Sequence, residues 1–221
     1  MHRAARKRWG EDKHSMNEQD LEPLISLGHE LPGVEFKGPG PRTDPHFFAK
    51  VTRAVLGMAN RPSGGLVIVG VDEAGDGTLR PTGLSPQDVA SWDFDSVSAA
   101  LTAAADPFVV VECEPSLFRG VTLLVIRVQE FDILPVICKK HYSDAQGKIV
   151  LRDGAVYVRT RRKPETSEIP SQTEMRELLE LAIGKGVRSF VARAAAAGLE
   201  LQKLVGPTED QEFDRELGEL K

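Results

Sequence analysis

The run Glu30-Leu-Pro-Gly-Val-Glu35-Phe-Lys37 sets two carboxylates five residues apart, with a lysine two positions after the second, and Asp72 closes the apolar run Leu66–Val71. Converging acids can hold a divalent cation, the cation polarises a phosphate, and a lysine offsets the negative charge that develops. If Glu30, Glu35, Lys37 and Asp72 meet, they form the site of a metal-dependent phosphodiesterase. If they do not, the acids decorate a strand of a nucleic-acid-binding or scaffolding domain. A pair of glutamates on a strand is more often a solvated edge than a metal site, and two features weigh against that here. Asp72 ends the most apolar strand, where the ligand-facing residues of α/β sheets gather. Strand alternation also places Glu35 and Lys37 on one face, opposite a core face made by Val34 and Phe36. A site of three carboxylates, Glu30, Glu35 and Asp72, offers hard oxygen donors and therefore suits Mg2+ or Mn2+, not zinc.

A second group of residues suits phosphate. The cluster Arg159-Thr-Arg161-Arg162-Lys163 follows a strand in what reads as a loop. A solvated charged turn explains it as well as phosphate contact does, although arginine forks match phosphate oxygens. Tyr157 alternates with Arg159 on one face, so a base could stack beside a phosphate grip. His29, next to Glu30, could join the acid site, but a surface histidine is the commoner case. The glycine loop Asn60–Gly65 lacks the Lys-Ser/Thr ending of a phosphate loop and precedes a strand where it should follow one. Asp72–Gly77 lacks the spacing and the closing glutamate of a calcium-binding loop. No Ser-His-Asp or Cys-His arrangement stands out.

The 221 residues carry a net charge of -5, which argues against coating nucleic acid through bulk charge. A local basic face is still compatible with binding, because affinity follows where the lysines and arginines sit. The two cysteines, Cys113 and Cys138, lie in apolar stretches and read as two buried, reduced thiols, without the clustering of a zinc site. The basic start is not followed by an apolar segment and no run reaches membrane-spanning length, as expected of a cytoplasmic protein without membrane attachment.

These residues need elements to position them. Residues 1–16 read as a basic, flexible arm. Helical spacing places Leu21, Leu24, Ile25 and Leu27 on one stripe, and Gly28 stops that helix. A short strand covers 33–37, a helix runs from Pro45 to Asn60, and Leu66–Val71 is a continuous strand covered on both faces. A helix is expected from Ser85 to about Ala105, then a hairpin of 108–114 and 121–129 around a Phe-Arg-Gly turn. Further strands fall at 149–151 and 155–159, with Asp153-Gly154 as a turn between them. Ser171 with Glu174 is a capping-box pattern opening a helix that breaks near Gly184 and Gly186 and resumes through Ala192–Ala197. The end is acidic.

In this order the blocks Glu30-x4-Glu35-Phe-Lys37, Ala54-Val-Leu-Gly-Met-Ala-Asn60, Gly64-Gly-Leu-Val-Ile-Val-Gly-Val-Asp72, Thr82-Gly-Leu84 and Val156-Tyr-Val-Arg159, with the helix from Gln172 to Leu181, resemble the Schlafen core, or AlbA-like, domain family. The resemblance covers about residues 18 to 182. It implies a compact α/β (α+β) domain with a mixed β-sheet, and the chain is expected to fold as one such domain flanked by helices over 17–183, followed by a helical extension with an acidic tail over 184–221. It also implies an activity. In the nuclease members two glutamates and an aspartate form a metal-dependent site that cuts structured RNA, especially transfer RNA, and the matching positions are Glu30, Glu35 and Asp72, with Lys37. The expected function is a divalent-metal-dependent endonuclease acting on RNA in preference to DNA, with Tyr157, Arg159, Arg161, Arg162 and Lys163 gripping the nucleic acid and a role in stress or phage defence by analogy. The alternative is a non-catalytic DNA- or RNA-binding or interaction module within a regulatory or defence assembly, and a homodimer is compatible with either.

Overall fold

The computed structural model describes residues 15–28, 31–75, 77–160 and 165–199. Glu30, His29, Arg161, Arg162 and Lys163 lie outside the described residues, as do residues 1–14 of the basic arm and 200–221 of the acidic end.

Helix α1 (Glu18–Ser26) opens on Asn17, whose side chain accepts from the amides of Gln19 and Asp20 while Asp20 accepts from Asn17 N. This reciprocal cap satisfies amides that the first helical turn leaves open. Gly28, at φ 71, ends the helix as expected. Leu21 and Ile25 are buried, but Leu27 sits at the C-cap and is 51% exposed, so the inward stripe is shorter than the spacing suggests.

After β1 (Val34–Lys37) comes α2 (Pro45–Ala59), capped by Asp44 with Pro45 in the first turn, where a missing N–H costs nothing. The strand expected from Leu66 to Val71 is interrupted. Gly70 takes φ 103, so the chain runs as β2 (Gly65–Val69) and then turns into β3 (Val71–Glu73), which leaves the main sheet to pair with β4 (Leu79–Pro81). The single helix expected over 85–105 is two, α3 (Pro86–Ser91) and α4 (Phe94–Thr102). The break has a local cause. Asp93 is extended and caps α4 by accepting from Ser96 N, and the buried Trp92 beside it donates its indole N–H to Gly40 O at 3.0 Å.

The remaining strands are β5 (Ala105–Asp106), β6 (Val111–Phe118), β7 (Val121–Val128), β8 (Ile137–Cys138), β9 (Tyr142–Ser143), β10 (Ile149–Leu151), β11 (Tyr157–Arg159) and β12 (Thr166–Glu168). The β6–β7 hairpin closes through Arg119 and Gly120, both at positive φ, which matches the right-handed twist of the strands it joins. The strands on either side of Asp153-Gly154 do not pair with each other: β10 pairs with β9, and β11 with β12. Helix α5 (Gln172–Ala196) begins at Ser171, which accepts from Thr173 N and donates to Glu174. It runs unbroken through Gly184 and Gly186, so two glycines do not suffice to end a helix of this length.

The main sheet has the order β1-β2-β7-β6, with β1 and β2 parallel and the other pairs antiparallel. It is the mixed α/β arrangement expected. One face, with Val67, Val69, Leu124 and Ile126, packs against α2, Trp92, Leu101 and Tyr157. The other, with Val34, Phe36, Ile68 and Leu123, packs against Leu21 and Ile25 of α1. Both faces are therefore covered, and this corrects the solvent-facing position expected for Glu35: it is paired in register with Val67 on the α2 face and is only 5% exposed. Asn60, just after α2, ties distant segments together. Its amide donates to Val136 O (2.8 Å) and Tyr157 O (2.9 Å) and accepts from Val136 N (2.7 Å). Both cysteines are free thiols, and no described helix is long and apolar enough to cross a membrane.

Candidate functional site

β1 brings Glu35 and Lys37 to the α2 face two residues apart, and the fold then surrounds Glu35. Arg159, from the last position of β11, donates from Nη1 to Glu35 Oε2 at 2.7 Å, and Thr166 Oγ1 of β12 donates to the same oxygen at 2.6 Å. Lys37 Nζ binds the other oxygen, Oε1. The two cations differ in setting. The Arg159 side chain is 1% exposed, whereas that of Lys37 is 22% exposed. Arg159 is further fixed by Val34 O (2.8 Å) and Pro32 O (3.2 Å), carbonyls at the start of β1. A five-donor guanidinium can serve a carboxylate and several carbonyls at once, which a lysine ammonium cannot do in one plane. Glu35 is thus held rigidly from behind through Oε2, while Oε1 faces a cation that reaches partway to solvent.

A small cavity opens on that side, lined by Glu35, Lys37, Lys50, Arg53, Glu165 and Thr166. Lys50 and Arg53 lie three residues apart on α2 and so share a face. Arg53 Nε donates to Thr166 O at 3.0 Å, and its guanidinium stacks 5.8 Å from the centre of the Tyr157 ring. Three cationic side chains against two carboxylates give this cavity a positive bias, which favours an anion such as phosphate.

Asp72 sits at the neighbouring strand end. Thr82 Oγ1 donates to its Oδ2 at 3.0 Å. Its Oδ1 lies against Gly38, the residue after Lys37, so closely that a Cβ on Gly38 would be 2.5 Å away. Asp72 and the Glu35–Lys37 pair are therefore adjacent through the end of β1, although Asp72 does not line the cavity. Among the described residues no three His, Cys, Asp or Glu side chains group as a metal cluster would. Glu30, the third expected ligand, lies outside them.

The expected nucleic-acid contacts are placed differently from a surface loop. Arg159 is buried under Glu35, and Tyr157 is 4% exposed. The Tyr157 hydroxyl accepts from Arg152 N at 2.9 Å, and burial pushes its pKa up. Both hold the site from the interior. Arg61 stands nearby, its guanidinium donating to Pro62 O and Gly64 O, and burial with the Arg159 charge lowers its pKa.

Sequence reading missed Thr166, Lys50, Arg53 and Gly38. Lys50-x-x-Arg53 sets two cations on one side of an otherwise apolar helix and could have been found by its spacing. Gly38, directly after a strand that carries a candidate site, is a signal of close backbone approach. Thr166 carries no local signal, because its partner is 131 residues away.

A family model described as Schlafen, AlbA_2 matches residues 31–165. Among solved structures, the N-terminal domain of a RecG-related protein from Nitrosomonas europaea is similar at 25% identity and TM-score 0.41, covering 57% of this chain and 82% of that one. The DIP2311 protein from Corynebacterium diphtheriae is similar at 18% identity and TM-score 0.41, over 67% of this chain and 25% of that chain, so this chain spans about a quarter of its length. No curated protein gives a significant match.

Proposed function

This chain belongs to the Schlafen, AlbA_2 family, and on that premise we propose that it is a divalent-metal-dependent phosphodiesterase that cuts nucleic acid, structured RNA such as transfer RNA in preference to DNA. The family itself supports a nucleic-acid-related function; the cleavage chemistry rests on the residues. The observation that carries it is the two-sided setting of Glu35. Oε2 is locked by buried donors, and Oε1 is presented to a cationic group at a cavity biased toward anions. Metal-ligating carboxylates are commonly oriented in this way by hydrogen bonds from behind.

Glu35, Asp72 and Glu30 are the carboxylates that would hold Mg2+ or Mn2+, which take hard oxygen ligands. A divalent ion held by these residues would supply Lewis-acid polarisation of the phosphate and a more acidic bound water. The chain's own residues do the rest. Arg159 and Thr166 fix the Glu35 carboxylate. Lys37, half-buried at the cavity and bound to Oε1, is the cation that would offset the developing charge on a phosphate. Lys50 and Arg53 draw the nucleic-acid backbone to the cavity, and Arg161, Arg162 and Lys163 extend that grip. A part in stress or phage defence accords with such an activity.

A second reading has one observation in its favour. Glu35 is already compensated by two cations, Lys37 and Arg159, so it also serves as the structural anchor of a non-catalytic binding module. Labelled transfer RNA, single-stranded DNA and double-stranded DNA, each incubated with manganese or with chelator, separate the two. The nuclease reading expects cleavage of RNA with manganese, lost with chelator and lowered roughly 100-fold or more by Lys37→Gln or Asp72→Asn. Binding without cleavage, indifferent to chelator and to Asp72→Asn, overturns it in favour of the binding module.

A further inference from the structure

The chain has two tyrosines, and the fold treats them differently. Tyr157 is buried, so it is out of reach of a base. Tyr142, on β9, is only half-buried, and its ring meets that of His46 with centroids 6.2 Å apart and planes inclined by 38°. His46 opens a line along α2. His46, Lys50 and Arg53 stand at steps of four and three residues, so they share one side of the helix. The line ends at Gly57, where Thr166 Cγ2 lies 2.5 Å from the place a Cβ would take. Lys50 is exposed, and His46 and Arg53 are half-buried. Lys50 and Arg53 line the cavity beside Glu35. The line therefore carries the polar surface of α2 from that cavity to the aromatic pair, about 10 Å along the helix.

The charge along this track is cationic. The acids near the aromatic end have other duties: Asp44 caps α2 through the amides of His46 and Phe47, and Asp144 holds the β9–β10 turn through the amides of Gln146 and Lys148. The segment that leads into Tyr142 is Lys139-Lys140-His141, each of them exposed. His46 itself is set up as a donor. Its Nδ1 is buried with no hydrogen-bond partner. An orphaned N–H inside a protein is rarer and costlier than a bare lone pair, so the proton of the neutral ring belongs on Nε2.

On the reading that the cavity takes a backbone phosphate, we propose that a neighbouring nucleotide is unpaired and docks at the His46–Tyr142 end of the track. Its base stacks on the Tyr142 ring, and one of its acceptor oxygens or nitrogens receives the N–H of His46 Nε2. Lys50, between the cavity and the aromatic pair, holds the phosphate that joins the two. Stacking on a side chain needs a free base face, and a nucleotide inside a duplex has none, because neighbouring base pairs cover both. The substrate class that follows is nucleic acid with single-stranded residues beside the bound phosphate, as in a loop, a bulge or a fork, and not a continuous duplex.

Fluorescence anisotropy of the full chain in chelator, where no metal-dependent cleavage occurs, tests this with two labelled RNAs: a blunt duplex and the same duplex opened into a fork of unpaired nucleotides at one end. The forked RNA should bind roughly tenfold more tightly, which is about what stacking one base on an aromatic ring is worth. Tyr142→Leu, which keeps an apolar contact with the core, and His46→Ala should remove most of that preference and leave the affinity for blunt duplex unchanged. Tyr142→Phe should retain it, and Lys50→Ala should weaken both RNAs. Circular dichroism checks that each variant is folded. Equal binding of the two RNAs, binding of neither, or a preference that survives Tyr142→Leu overturns the proposal. The nuclease reading is decided separately by cleavage with manganese. A Tyr142-dependent preference without cleavage removes the nuclease and keeps the docking site, and cleavage without that preference does the reverse.

Discussion

Arg159 and Glu35, 124 residues apart in the chain, form an ion pair of 2.7 Å with both side chains almost wholly out of solvent. A buried pair is costly to assemble, since both charges leave water, and costlier to break, since the survivor keeps its desolvation without its partner. The pair joins β1 to β11 and fixes the carboxylate on which the candidate site is built.

Glu35→Ala is therefore expected to lower stability by about 3–5 kcal/mol, by stranding Arg159. Glu35→Gln, which keeps the shape and a hydrogen-bonding head, is expected to cost less than Glu35→Ala. Urea unfolding of the three proteins checks this, with equal losses for the two variants as the contrary result. Loss of activity in Glu35→Ala alone consequently says nothing about catalysis, and Asp72→Asn is the cleaner probe.

Gly38→Ala places a methyl group 2.5 Å from the present position of Asp72 Oδ1, and the carboxylate must move away. The expected outcome is cleavage reduced at least about tenfold with the fold retained, since a displacement of about 1 Å in a site commonly costs that much or more. Activity with transfer RNA, set beside the melting temperature, reads the two effects separately.

Asn60→Ala removes three buried hydrogen bonds and leaves Val136 N and the carbonyls of Val136 and Tyr157 to find new partners. At about 1 kcal/mol per bond, with more for stranded groups, a loss of roughly 3 kcal/mol follows. Thermal denaturation should show it, and Asn60→Asp should be similarly harmful, because a carboxylate cannot donate to those two carbonyls.

Burial pushes the Cys113 thiol up to about 12, with the charges of Glu114 and Asp93 adding to it, and burial also raises Cys138. The folded protein favours the protonated thiol, so this contribution to stability is intact below the ordinary value near 9 and is lost as pH climbs from there toward about 12. At pH 8 both thiols should react with a disulfide reagent far more slowly in the native protein than in denaturant. Fast native reaction at Cys113 would contradict its placement.

The elements of this protein were largely legible in its sequence, because their causes are local. Ser171 starts a helix where its capping pattern predicts one, and the β6–β7 hairpin turns at the expected Phe-Arg-Gly, where Arg119 and Gly120 accept positive φ. The errors were local too. Gly70 bends a strand that looked continuous, Asp93 caps a new helix inside one that looked single, and α5 passes through two glycines that looked like a break.

The sequence by itself determined the residue types of the candidate site: the order of Glu30, Glu35, Lys37 and Asp72, and the alternation that sets Glu35 beside Lys37. Only the tertiary structure decided what Glu35 touches. Alternation states which residues share a face, not what covers that face, and the cover here comes from β11 and β12, more than 120 residues away. For that reason Arg159, a surface phosphate grip by its place in a basic run, is the buried partner of Glu35, and the acid motif faces a cavity of Lys37, Lys50 and Arg53 instead of open water.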